Sequence, residues 1–280
     1  MHNKNPLAQY FRIPKLYVRL PSGGKFYDKD AITTSVNGEV AVYPLTAIDQ
    51  LLLKTPDALL NGESLVKVVS SCVPDIQDAK QLVEPDINAL LLAIKIATNG
   101  DRMDVDAVCP NCKHENLFEL ELTPLLETAT PTPDDNTVDY NDTLIIHLRP
   151  YNFVQRNLTF LNEITYNNAI KMLQANELQD DSARIQDASR TIDQMSRRTF
   201  SIVAQSITQI TIKQTGEHVT DAKFIEEFLS GITKEQSEVI LDKIKELNKT
   251  GVNTEHSFVC SACNHEWNQD IDFDPTSFFE

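Results

Sequence analysis

The sequence predicts an α+β protein, mostly helical, with small β elements and a four-cysteine zinc ribbon whose two halves flank a helical insertion. Three observations carry this. The stretch Cys109-Pro110-Asn111-Cys112-Lys113-His114-Glu115 returns as Cys260-Ser261-Ala262-Cys263-Asn264-His265-Glu266, so C-x-x-C-x-H-E occurs twice. Each copy sits between short strand-like segments. Between the copies the hydrophobic period is mainly that of amphipathic helices.

Two cysteines separated by two residues at a hairpin tip point their sulfurs at one spot. Tetrahedral zinc takes four ligands, so two facing knuckles complete one structural site. Cys109, Cys112, Cys260 and Cys263 are the candidate ligands, for one zinc per chain. Ordinary ribbons leave roughly 15–20 residues between their cysteine pairs. Here 147 residues separate Cys112 from Cys260, so a whole subdomain must be inserted. A redox C-x-x-C, a disulfide and two unconnected turns are the alternatives. A redox pair normally opens a helix whose N-terminus lowers the thiol pKa, whereas both pairs here lead into strands. His114 and His265 follow their own cysteines too closely to share a metal with them easily, and read as surface residues of the ribbon.

The organisation expected along the 280 residues is an N-terminal arm (1–14), a β-hairpin with short helices (15–104), the first ribbon half (105–122), a linker (123–142), a strand and the inserted helical subdomain (143–253), and the second ribbon half with an aromatic tail (254–280). Lys15 to Leu20 alternates as a strand. Glu39 to Pro44 follows an Asn37-Gly38 turn signal as a second. Thr46 and Asp49 suit the start of a helix through Leu53. Pro56 to Gly62 reads as a helical turn, and 63–73 and 85–99 as helices ended by Pro74 and by Asn99-Gly100. Prolines 124, 131 and 133 mark the linker. A strand over 143–149 is followed by helices over 151–175, interrupted near Thr165, and from 182 to about 210. A turn at Thr215-Gly216 precedes two more helices, the second opened by the capping-box spacing of Thr233 to Gln236.

Apolar residues make up 41% of the chain and charged residues 24%, an ordinary globular composition. No run approaches the roughly 20 apolar residues of a membrane helix, and the first residues lack a signal-peptide core. The fifth cysteine, Cys72, lies in an apolar run as a buried thiol. This usage suits a reducing compartment such as a cytoplasm. Net charge is −16, which disfavours nucleic acid as a partner. Yet residues 1–27 carry five cations and no acid, leaving −21 on the remainder. The basic arm (Lys15, Arg19), the arginine-bearing face of the long helix (Arg190, Arg197) and the terminal Phe278-Phe279 are the candidate partner-binding elements. No P-loop, G-x-S-x-G, H-E-x-x-H or dinucleotide-binding pattern occurs, so no catalytic residue is nominated.

Leu20-Pro21-Ser22-Gly23-Gly24-Lys25-Phe26-Tyr27, Glu39-Val40, Leu45-Thr46-Ala47 and Pro56 to Gly62 resemble the baseplate hub and hub-assembly proteins of T-even-type contractile-tailed bacteriophages. The closing knuckle and Phe273 to Phe279 fit the same family. The resemblance runs over residues 15–122 and more loosely over the insertion. It implies a non-enzymatic role in building the central hub, with other hub proteins as partners, as a virion subunit or as an assembly factor acting in the host cytoplasm. The rival function is a zinc-ribbon transcription or nucleic-acid factor. It would need a basic face on the ribbon, but the ribbon tails hold Glu119, Glu121, Asp270, Asp272 and Asp274.

Overall fold

The computed structural model describes residues 7, 10–28, 30–35, 37–55, 62–174 and 181–271, and within the helices the side chains of 172–174, 181–188, 192–193 and 196 are left aside. Residues 56–61 of the Pro56 helical turn, residues 1–6, 8 and 9 of the arm, and the tail with Phe278 and Phe279 lie outside the described residues. The chain divides into two compact units, residues 1–132 with 249–280, and residues 133–248. Both are α+β. Helix amounts to 43% of the chain, so it is the largest component but falls short of the expected majority.

In the first unit, β1 (Leu16–Arg19) pairs antiparallel with β2 (Glu39–Val42), Val18 opposite Val40. Their inward residues Val18, Val40 and Val42 are buried. Thr46 caps α1 (Ala47–Leu53) in a capping box with Asp49, the arrangement that satisfies two otherwise orphan backbone donors. Next come α2 (Glu63–Cys72) and α3 (Glu84–Asn99). Residues Pro85 to Lys95 of α3 are buried on every side. An all-round buried helix is the centre of a core, and α3 fills that place.

The expected strands around each knuckle are present. β3 (Arg102–Val108) pairs with β4 (Glu115–Glu121), and β9 (Glu255–Val259) with β10 (Glu266–Asp270), as separate two-stranded sheets. Residues 123–142, expected as a linker, instead carry α4 (Thr123–Glu127) and β5 (Thr137–Tyr140). Pro124 falls in the first turn of α4, where its missing N–H costs nothing. Where the chain leaves the first unit and returns, Thr130 and Gly251 exchange two backbone hydrogen bonds of 2.8 Å.

Gly251 has φ +89°, and a Cβ there would stand 3.1 Å from the Cβ and carbonyl oxygen of Pro85. A side chain would be strained both by the left-handed backbone and by the start of α3. Gly251→Ala is expected to destabilise the protein by roughly 2 kcal/mol, seen as a lower urea midpoint at unchanged slope.

The second unit is a four-stranded antiparallel sheet, β5-β6-β7-β8, with helices packed on it. β6 is Leu144–Leu148, β7 Ile207–Ile212 and β8 His218–Val219. α5 (Phe153–Gln174) and α6 (Asp181–Ser206) precede β7, and α7 (Ala222–Gly231) and α8 (Lys234–Asn248) follow β8. Ile146, Leu148, Ile207 and Ile210 from the sheet meet Ile225, Leu229, Ile240, Ile244 and Leu247 from α7 and α8 in one core. Each such side chain contributes about 1.5–3 kcal/mol on burial. Gln155 ties the start of α5 to the end of α6 by donating to Ile202 O (2.8 Å) and Ser206 Oγ (2.9 Å).

Two expectations change here. α5 runs unbroken through Thr165, whose hydroxyl donates 2.8 Å back to Leu161 O and so stays within the helical ladder. The long helix stops at Ser206 rather than near 210, because all of Ile207-Thr208-Gln209-Ile210-Thr211-Ile212 except Gln209 is β-branched and the segment pairs with β6.

Candidate metal centre

Both knuckles fold alike. Cys109 N–H donates to His114 O (2.9 Å) and Lys113 N–H to Cys109 O (3.0 Å); Cys260 N–H donates to His265 O (2.9 Å) and Asn264 N–H to Cys260 O (2.9 Å). The residue after the second cysteine takes a left-handed φ in each, 60° at Lys113 and 56° at Asn264. Asn visits that region readily; Lys113 adopts it because the tight turn demands it.

The four sulfurs converge, all within 4.8 Å of one another. Across the halves, Cys109 Sγ lies 3.8 Å from Cys263 Sγ, and Cys112 Sγ 3.6 Å from Cys260 Sγ. These separations exceed the roughly 2.05 Å of a disulfide, and all four thiols are free. Four sulfurs about 2.3 Å from a central zinc define a tetrahedron with edges of about 3.8 Å. The two separations across the halves match that edge, and the remaining sulfur pairs lie within 4.8 Å. Cys109 and Cys260 are buried, while Cys112 and Cys263 face solvent.

Proton affinities within the cluster are split. Burial opposes ionisation of Cys260, but the N–H groups of Ala262 and Cys263 and the neighbouring sulfurs outweigh it and hold the thiol at about 6. At Cys112 the N–H of His114 favours the thiolate, yet the sulfurs of Cys263, Cys260 and Cys109, together with burial, push it up to about 12. Four sulfurs at this spacing resist sharing several negative charges without a cation among them.

Around the sulfurs stands a shell that the spacing of cysteines alone does not reveal. Asn116, buried in β4, accepts from Ser261 N–H and Ser261 Oγ at 2.9 Å each. Its amide donates to His114 O (3.0 Å) and faces Cys260 Sγ at 3.8 Å. One side chain thus joins both knuckles. Asn111 Nδ2 faces Cys263 Sγ at 3.7 Å. Below, Phe118, Phe258 and Trp267 form an aromatic bridge between the two hairpins, with centroids 4.6 Å apart for Phe118–Phe258 and 5.8 Å for Phe258–Trp267. Parity in β4 carries a signal for Asn116: residues 116, 118 and 120 turn inward while 117, 119 and 121 are exposed, so a polar residue holds a core position beside the knuckle.

His114 and His265 are exposed, and His265 stacks on Trp267 at 6.4 Å. Cys72 is fully buried, its thiol pushed up to about 11 by burial and the Asp49 carboxylate. Of the expected partner-binding residues, Lys15 just before β1 and Arg19 at its end are exposed, as are Arg190 and Arg197 on α6. The hairpins expose Asp104, Asp106, Glu119, Glu121, Glu255, Glu266 and Asp270. A polyanion would find no basic face there.

Compared with known families, residues 15–280 match the one described as T4 bacteriophage base plate protein. This chain belongs to that family. The match takes in the insertion as well as the N-terminal half, further than the motifs at residues 20–62 reach by themselves. No curated protein and no solved structure matches the chain. Among the described residues of this base plate protein, no helix is long and apolar enough to cross a membrane.

Proposed function

We propose that this base plate protein is a non-enzymatic component of the central hub of a contractile phage tail, working through protein–protein contacts, with one structural zinc holding its two ribbon halves together. The observation that carries the reading is the convergence of Cys109, Cys112, Cys260 and Cys263, from segments 147 residues apart, at tetrahedral spacing. With four protein ligands the metal has no open position for a reactive water. Its role is mechanical: it joins hairpins that share no backbone pairing and so fixes both ends of the inserted unit's chain. A nucleic-acid role is not favoured, given the acidic hairpin surfaces and a net charge of −16.

Quantitative mass spectrometry of intracellular hub intermediates and of purified tails tests the hub assignment. Presence in both makes the chain a virion subunit, and presence in the intermediates alone makes it an assembly factor. Absence from both overturns the reading.

Asn116 supports the zinc from outside its coordination shell. Partners of this kind typically govern affinity by about 10–100-fold. Asn116→Ala should weaken zinc binding by about that factor in competition with a chromogenic chelator. Unchanged affinity would show that the knuckles hold the metal without it.

A further inference from the structure

The N-terminal stretch that enters the first unit is exposed, apolar and basic, yet it is held in place. Leu7, Tyr10, Phe11, Ile13 and Tyr17 are between 59% and 77% exposed. So many large apolar side chains in one short stretch of surface mark an interaction site more often than a solvated coil. Between them Arg12 turns inward. Its guanidinium donates to Pro44 O, to Ser71 O (2.6 Å) and to Ser71 Oγ (2.8 Å), pairs with Asp49 at 3.3 Å, and lies 5.7 Å from the Tyr43 ring centroid. Lys15 N–H then donates to Val42 O (2.9 Å). Residues 10–15 are therefore presented in a fixed conformation, with their binding entropy largely settled in advance.

The strand that follows has an open side. β1 pairs with β2 along one edge, and among the described residues no other strand lies against it. Among the described residues, 16–19 make no backbone hydrogen bond apart from the β2 ladder. The outer edge thus presents alternate N–H and C=O groups that can take up another strand. Lys15, Tyr17 and Arg19 share the exposed face of this edge, and Val18 turns to the core. Arg19 stands opposite Glu39 in the register, but its guanidinium donates to Asn37 O (3.3 Å).

Charge selects the occupant. A second copy pairing edge to edge in antiparallel fashion about Tyr17 would set Lys15 of each copy against Arg19 of the other, and like charges directly opposite are destabilising. Lysines on a strand edge serve to block such self-pairing. An acidic strand meets the opposite situation, since the cations it would face at this edge are the exposed Lys15 and Arg19.

We infer that the outer edge of β1 is a strand-addition site for an extended acidic segment of a different protein. Its carboxylates would lie on the face that carries Lys15, Tyr17 and Arg19, and its alternate apolar residues on the opposite face, that of Leu16 and Val18. This names the partner chemistry within the proposed hub role and rests on that reading. The hub assignment itself is decided on particles, so a failure here leaves it standing.

The test is binding of a fluorescent alternating Glu-Val peptide of about ten residues to the full zinc-loaded chain. Lys-Val and backbone N-methylated Glu-Val versions are the controls. The acidic peptide should bind at least about tenfold more tightly than either control, protect the amides of residues 16–19 from exchange, and weaken as salt rises. Lys15→Glu with Arg19→Glu, both exposed and outside the core, should abolish that preference and favour the Lys-Val peptide. Equal binding of the acidic and basic peptides overturns the inference, and so does unchanged binding in the double variant. Equal binding of the N-methylated peptide shows a charged patch without strand addition and overturns it too. Concentration-dependent dimers that the double variant disrupts would assign the edge to a second copy instead.

Discussion

Asp86→Ala is expected to destabilise the first unit by about 3–5 kcal/mol, because donors it now satisfies would be buried without an acceptor, each costing about 1–3 kcal/mol. Asp86 is fully buried near the start of α3. It accepts from Ser22 N–H (2.8 Å), from Ser22 Oγ and from the Tyr27 hydroxyl, which in turn accepts from Val83 N–H (2.9 Å). This node explains why Leu20-Pro21-Ser22-Gly23-Gly24-Lys25-Phe26-Tyr27 reads as a motif. Ser22 and Tyr27 bracket the carboxylate, and Gly23 and Gly24, at φ 62° and 83°, make the turn that returns the chain to it. Urea denaturation of Asp86→Ala against wild type measures the loss; a change under about 1 kcal/mol would mean that water replaces the carboxylate.

The same group predicts a pH dependence. Burial raises the Asp86 carboxyl above 3.8, and the hydrogen bonds from Ser22 and Tyr27 offset this only in part. The folded protein thus holds that proton more tightly than the unfolded chain. Its contribution to stability is complete below pH 3.8 and is lost as pH rises through the raised value. Asp86→Asn should remove that component of the decline. A pH profile parallel to wild type would assign the decline to other groups.

The second large effect is loss of the cysteine cluster. Cys260→Ser with Cys263→Ser, or exhaustive chelation of the wild type, should separate the hairpins and expose Phe118, Phe258 and Trp267. Structural zinc in small domains is worth on the order of 10–16 kcal/mol of apparent binding free energy at neutral pH, more than the aromatic bridge alone can replace. Trp267, the sole tryptophan, reports the change directly: its emission should shift to longer wavelength on chelation. The core of the second unit contains no cysteine, so its amides should keep their protection. An unchanged tryptophan spectrum in the double serine variant would show that the hairpins stay joined without metal.

Much of this was legible from residue patterns, for identifiable reasons. The repeated C-x-x-C-x-H-E marks both hairpins because tight turns and thiol ligands leave little freedom in spacing. Thr46 with Asp49 and Thr233 with Gln236 mark helix starts because capping is local; in the structure Thr233 N–H donates to Gln236 Oε1 at 2.9 Å. What the sequence hid was settled at long range. Ile207 to Ile210 continues a helical pattern until its pairing with β6 is known. Thr137 to Tyr140 is polar enough for a linker and becomes a strand only beside β6. Asp86 looks like a helix-start acid that favours the dipole, whereas its partners lie about sixty residues upstream. Arg12, counted among free cations of an arm, is a tether whose acceptors come from α1, α2 and Pro44.

The central claim, one zinc shared by two distant knuckles, is tested most directly by native mass spectrometry of the wild type and of Cys260→Ser with Cys263→Ser. The account predicts one zinc per chain in the wild type and none in the variant. Two zincs, each recruiting further ligands such as His114 or His265, or no zinc at all, would contradict it.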